Sequence, residues 1–132
     1  MEDNRITRKI NCQSMSKADC QRAMLSVLDA MAVLSGKWKI PIIMTLWLGS
    51  KRFKDIIRAI PGLTDKSLSK ELKEMAEDQL IERTVHDTYP PKVEYTLTEH
   101  AESLIEIIVV LRDWGVLHRE KVLGTKISTH YK

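Results

Sequence analysis

Five side chains packed into eight positions offer the densest chemistry in this sequence: Lys66, Ser67, Ser69, Lys70 and Lys73. Wound at about 100° per residue, the three lysines fall on one side of a helix and Leu68, Leu72, Met75 and Ala76 on the other. The two serines flank the lysines. Ammonium groups contact phosphate or guanine, and hydroxyls contact phosphate or several base edges. That is the chemistry of holding a polyanion, not of making or breaking bonds. Glu74 and Glu77 share the polar face but lie toward its C-terminal end. The positive charge therefore occupies the N-terminal half, the half that helix-turn-helix proteins insert into a major groove. A solvent-facing amphipathic helix is the plainer alternative.

Further cations lie near by in sequence. Lys51 to Lys73 holds seven basic residues against three acidic ones, a denser positive charge than the net +3 of all 132 residues. Arg52 and Lys54 stand just before a short helix, where a backbone phosphate would be met. Lys92 and His86 face each other across a short loop and could touch the adjacent minor groove or its phosphates. Histidine carries only part of a charge near neutral pH, so Lys92 is weighted above His86.

Other chemistries lack their residues. His86, His100, His118 and His130 form neither H-E-x-x-H nor a set with a CxxC, so no metal site is read. A nucleophile with a base at recognisable spacing and a glycine-rich phosphate loop are also missing, so no enzyme and no cofactor are expected. Trp38, Trp47 and Trp114 fall on apolar helical faces and read as core. Cys12 and Cys20 are too few for a disulfide scaffold and fit a reduced, cytoplasmic compartment. Apolar runs are far shorter than the roughly 20 residues a membrane helix needs, and the N-terminus lacks the apolar core of a secretory signal.

The elements that must position these side chains follow from periodicity. Residues 1–17 and 121–132 are polar and unpatterned and read as loose tails around a single domain, 18–120. Ala18 to Leu34 is helical in spacing. A second helix begins near Trp38, with Pro41 in its opening turn, and ends at Gly49. Phe53, Ile56, Ile57 and Ile60 mark a short helix stopped by Pro61-Gly62. Thr64 caps the next, Asp65 to Gln79. Leu80–His86 and Lys92–Leu97 read as strands with one buried face, joined by the proline-rich loop DTYPP. Thr98 then caps one long helix starting at Glu99. Helix, turn, helix and hairpin in succession make a winged helix: mainly α with a small β-hairpin, DTYPP at the tip of the wing.

The final helix adds an expectation about assembly. Leu104–Leu111, continued by Trp114, Val116 and Leu117, is apolar around most of its circumference. Such a helix needs cover on more than one side. A second copy of the chain is the economical cover, with Leu104, Ile107, Ile108, Leu111 and Trp114 in a two-fold interface.

Read together, Gly36-Lys37-Trp38, Arg52-Phe53, Ile60-Pro61-Gly62, Leu68-Ser69-x-x-Leu72 and Pro91-Lys92-Val93-Glu94-Tyr95 with Leu97-Thr98 resemble the HxlR-type, MarR-related winged-helix transcriptional regulators of bacteria. The resemblance spans about Cys20 to Glu120. It implies a cytoplasmic homodimer, joined through its terminal helices, that binds double-stranded operator DNA; a small-molecule or redox effector is a candidate further partner whose identity is left open. Some members sense oxidants or electrophiles through a cysteine shortly before the Gly-Lys-Trp motif. Leu25 stands at that position here and Cys20, the candidate redox sensor, lies five residues upstream, a departure that weighs against redox sensing. An ordinary thiol beside the dimer interface is the alternative.

The leading expectation is a sequence-specific DNA-binding regulator that represses by blocking polymerase. Helix 65–79 would lie in the major groove and wing 86–92 on the adjacent minor groove or backbone. The competing class is a winged-helix protein–protein interaction module that never meets DNA. Salt separates the two, because binding through several lysines weakens steeply as salt rises.

Overall fold

The computed structural model describes residues 15–124, which divide into two units between Gly36 and Lys37. The first holds one described helix, α1 (Lys17–Val33), whose N-cap Ser16 accepts a hydrogen bond from the Asp19 amide at 3.1 Å. None of its residues is buried, and Met24, Leu25, Leu28 and Met31 are exposed. Cys20 lies in this helix and is disulfide-bonded. Cys12 falls outside the described residues.

The second unit runs α2 (Lys39–Trp47), α3 (Phe53–Ala59), α4 (Asp65–Glu77), β1 (Ile81–His86), β2 (Lys92–Leu97), α5 (Glu99–Glu102) and α6 (Ile105–Leu123). Its core gathers Ile42, Ile43 and Leu46 of α2, Ile56 of α3, Leu68, Leu72 and Met75 of α4, and Leu80, Ile81, Leu97, Ala101 and Ile108 beyond them. Those of α2, α3 and α4 are apolar at helical spacing, and the removal of the whole set from water drives the packing. Ala76 departs from expectation and is exposed; Glu71 replaces it on the buried face.

Both ends of α4 are fixed by local chemistry. Thr64 accepts a hydrogen bond from the Ser67 amide at 3.1 Å, satisfying one free N–H of the first turn. At the other end Gln79 adopts φ 60°, the Leu80 amide donates to the Met75 carbonyl at 2.8 Å, and the Gln79 amide donates to the Ala76 carbonyl at 3.1 Å. That pair of bonds is a Schellman motif, with the apolar Leu80 and Met75 buried beside it. The turn before α4 needs Gly62: its φ is +86°, and a Cβ there would come within 3.6 Å of the Trp38 ring.

The hairpin pairs antiparallel from Ile81↔Leu97 to His86↔Lys92. Its expected buried face exists only at the base, at Leu80, Ile81 and Leu97; Arg83 and Val85 project into solvent. A wing that stands off the core has no second layer to cover its outer half. Lys51 adds a short third rung, its amide donating to the Tyr95 carbonyl at 3.0 Å and its carbonyl accepting from the Tyr95 amide at 2.8 Å.

The single long helix expected from Glu99 is two. Ser103 and Leu104 break it with tight i→i+3 bonds, the Ser103 amide to the His100 carbonyl and the Leu104 amide to that of Ala101. The Ser103 hydroxyl also donates to the His100 carbonyl, the local competition by which serine bends helices. α6 continues through Leu123, past the tail boundary read at residue 121. Trp47 and Trp114 are exposed rather than core, and Trp38 is half-buried.

Candidate nucleic-acid interface

Helix α4 carries the candidate site. Its core face holds Leu68, Leu72 and Met75, which rolls Lys66, Ser69, Lys70 and Lys73 fully outward. Ser67 is half-buried, its amide spent on the Thr64 cap. The three lysines make no ion pair among the described residues, whereas Lys39, Arg58 and Lys92 all do. An unpaired, exposed row of ammonium groups is ready to exchange counterions for phosphates.

The rung between Lys51 and Tyr95 places the two flanking cations. It holds the chain extended into Arg52, the N-cap of α3 at φ −83° and ψ 162°, so Arg52 and Lys54 emerge exposed at the start of that helix. They lie on the same unit as the base of the wing, through which the rung connects them.

On the wing, Glu94 occupies both expected cations. Its carboxylate lies 2.7 Å from His86 Nε2 and 3.6 Å from Lys92 Nζ. The hydrogen bond from His86, with smaller help from Lys92, holds the Glu94 pKa below its ordinary value against a partial desolvation. Lys92 and His86 are thus half-buried and paired, unlike the lysines of α4. The wing tip carries the cis Tyr89-Pro90 bond and a fully exposed Tyr89.

Sequence reading missed Arg83. A cleft of about 310 Å³ lies between α3, α4 and the base of the wing, floored by Phe53, Leu72, Ala76 and Ile81. Ser69 and Lys73 line it from α4, and Arg83 and Tyr95 from the strands. Arg83 is exposed and makes no ion pair among the described residues, so it extends the positive surface of α4 onto the wing. Along β1, Arg83 shares a strand face with Ile81, which is buried at the base of the wing.

The expected interface positions divide. Ile107, Leu111 and Trp114 are exposed on α6; Leu104 is half-buried and Ile108 is buried in its own unit's core. Ile108 therefore faces inward. Trp114 stacks on His118 with ring centroids 4.8 Å apart. Among the described residues no cluster could hold a metal ion, and no helix is long and apolar enough to cross a membrane.

A helix pair joined by a tight turn, with a basic second helix and a two-stranded wing directly after it, defines the winged helix-turn-helix class of DNA-binding proteins. Within it the chain belongs to the HxlR-like helix-turn-helix family, which matches residues 33–122. The HTH-type transcriptional regulator YtcD of Bacillus subtilis is 39% identical over 104 residues, covering 79% of this chain and 82% of that one. A transcriptional regulator of the MarR family from Enterococcus faecalis V583 superposes with a TM-score of 0.68 at 31% identity, covering 87% of this chain and 99% of that one. The redox regulator HypR in its reduced form superposes with a TM-score of 0.70 at 33% identity, covering 76% and 99%. The protein is a DNA-binding transcriptional regulator.

Proposed function

We propose that this regulator binds operator DNA as a homodimer and represses by occluding a promoter, with α4 in the major groove and the wing against the adjacent minor groove or backbone. One observation carries the reading: Lys66, Lys70 and Lys73 form an exposed cationic face, without ion pairs among the described residues, on the second helix of the motif. Arg52, Lys54 and Arg83 flank that face, and Lys92 and His86 add a weaker contribution because Glu94 already partners them. The dimer reading is supported by the exposed Ile107, Leu111, Trp114 and Leu117 on α6 and the exposed apolar side of α1. Apolar patches of this extent mark interaction sites.

Fluorescence anisotropy with the promoter region of the protein's own gene, across a salt series, tests the first part. Log affinity should fall linearly with log salt at a slope corresponding to several phosphate contacts. Salt-independent or absent binding would instead favour a protein-interaction module. Sedimentation at micromolar concentration tests the second: about twice 15.2 kDa is expected, and a clean monomer would refute the dimer.

A further inference from the structure

Lys39 is a charged residue buried in the first turn of α2, and it meets two carboxylates of α4. Its Nζ lies 2.6 Å from Glu71 Oε1 and 3.5 Å from Glu74 Oε1. The Lys39 and Glu71 side chains are only 6% and 10% exposed, while Glu74 is 40% exposed with its buried Oε2 making no hydrogen bond. Burial opposes the charge on Lys39, but the hydrogen bond and charge of Glu71, then those of Glu74, outweigh it and hold its pKa above the ordinary value. Ion pairs buried this deeply seldom add stability over apolar residues of similar size. Their geometry, however, is directional, and here it fixes how α4 is rolled.

The neighbours of the two carboxylates give that roll its meaning. Glu71 follows Lys70 directly, and Glu74 follows Lys73. Lys70 and Glu74 also stand four apart, one turn along the same helix. A carboxylate released from Lys39 would turn toward the surface that Lys66, Lys70 and Lys73 present, where it would repel phosphate.

We propose that Lys39 is a positioning residue for DNA recognition: it draws Glu71 and Glu74 inward, setting the roll of α4 and keeping two negative charges off the lysine face. This rests on the reading of α4 as the groove-facing helix. Lys39 itself touches no DNA.

The test is operator affinity by anisotropy for the full chain, with circular dichroism confirming each variant's fold. Lys39→Met should weaken binding about tenfold or more near pH 7.5. Lys39→Arg should retain binding within a few-fold, and Lys39→Met/Glu71→Gln/Glu74→Gln should recover it. Parent-like binding by Lys39→Met, or a deficit that the triple substitution leaves unchanged, would overturn the inference and leave Lys39 a purely structural residue.

Should Lys39→Met alone fail to fold, Lys39→Met/Glu71→Gln decides the matter, since it leaves no fully buried carboxylate unpaired. It should bind more weakly than the triple variant, because only Glu74 remains to turn outward; equal binding would overturn the inference. Lys70→Ala, measured alongside, separates this from the underlying reading. If Lys70→Ala binds like the parent, the groove-facing assignment of α4 fails. If it weakens binding while the Lys39 series is flat, only the role of Lys39 fails.

Discussion

The Glu94 carboxylate accepts a hydrogen bond from His86 Nε2 at 2.7 Å across the wing, and its second oxygen lies 3.6 Å from Lys92 Nζ. One acidic residue thus engages both Lys92 and His86 at the outer end of the hairpin. Glu94→Gln should raise affinity for specific and unrelated DNA by similar factors and steepen the salt slope by up to about one unit. A salt series on both DNAs checks this. Unchanged affinity would mean that the wing does not approach the backbone.

The same contact has a pH signature. The folded-state pKa of Glu94 is lowered, so the interaction is fully present above the ordinary carboxylate value of 4.5 and is lost as pH falls through the lower folded value. Amide resonances of His86 and Lys92 should shift together in an acid titration while those of α2 stay fixed. Lys39 behaves oppositely. Its raised pKa means that its pairing is complete below the ordinary lysine value of 10.5 and is lost as pH rises through the higher folded value, so α2 and α4 should loosen at the alkaline end.

Gln79 holds a left-handed conformation at φ 60° in the C-terminal cap of α4. A side chain there costs roughly 1 kcal/mol that glycine avoids. Gln79→Gly should therefore stabilise the fold by up to about 1 kcal/mol, less whatever glycine's extra unfolded-state freedom takes back. Thermal unfolding measures it. A loss of 1 kcal/mol or more would contradict the cap geometry.

Thr98 joins the end of α4 to the start of α5. Its hydroxyl donates to the Gln79 carbonyl at 2.7 Å and accepts from the Ala101 amide at 3.1 Å. Thr98→Ala removes a cap and leaves a carbonyl without that donor, so it should cost about 1–2 kcal/mol in denaturant unfolding. Thr98→Ser should recover most of the loss. Equal stability of the alanine and parent proteins would show the link to be incidental.

Local signals made much of this architecture legible. The caps at Thr64 and Thr98, the stop at Pro61-Gly62 and the helical spacing of Leu68, Leu72 and Met75 each act within a few residues, so the sequence displays them directly. What it concealed depends on partners far along the chain. Glu71 takes a core position only because Lys39, 32 residues away, supplies its counter-charge. The rung between Lys51 and Tyr95 joins segments that share no pattern. Arg83 is exposed because the outer wing has nothing packed over it, which alternation along β1 does not register. The break at Ser103 was masked by apolar residues that continue in register on either side.

The central claim is that the outward face of α4 reads the operator, and Lys70 stands at the middle of it. Anisotropy with operator DNA should show Lys70→Ala weakened by roughly 1–3 kcal/mol, about fivefold to more than a hundredfold. Its circular dichroism and sedimentation should match the parent. If Lys70→Ala, folded and in the parent's oligomeric state, bound the operator as tightly as the parent, α4 would not be the reading helix.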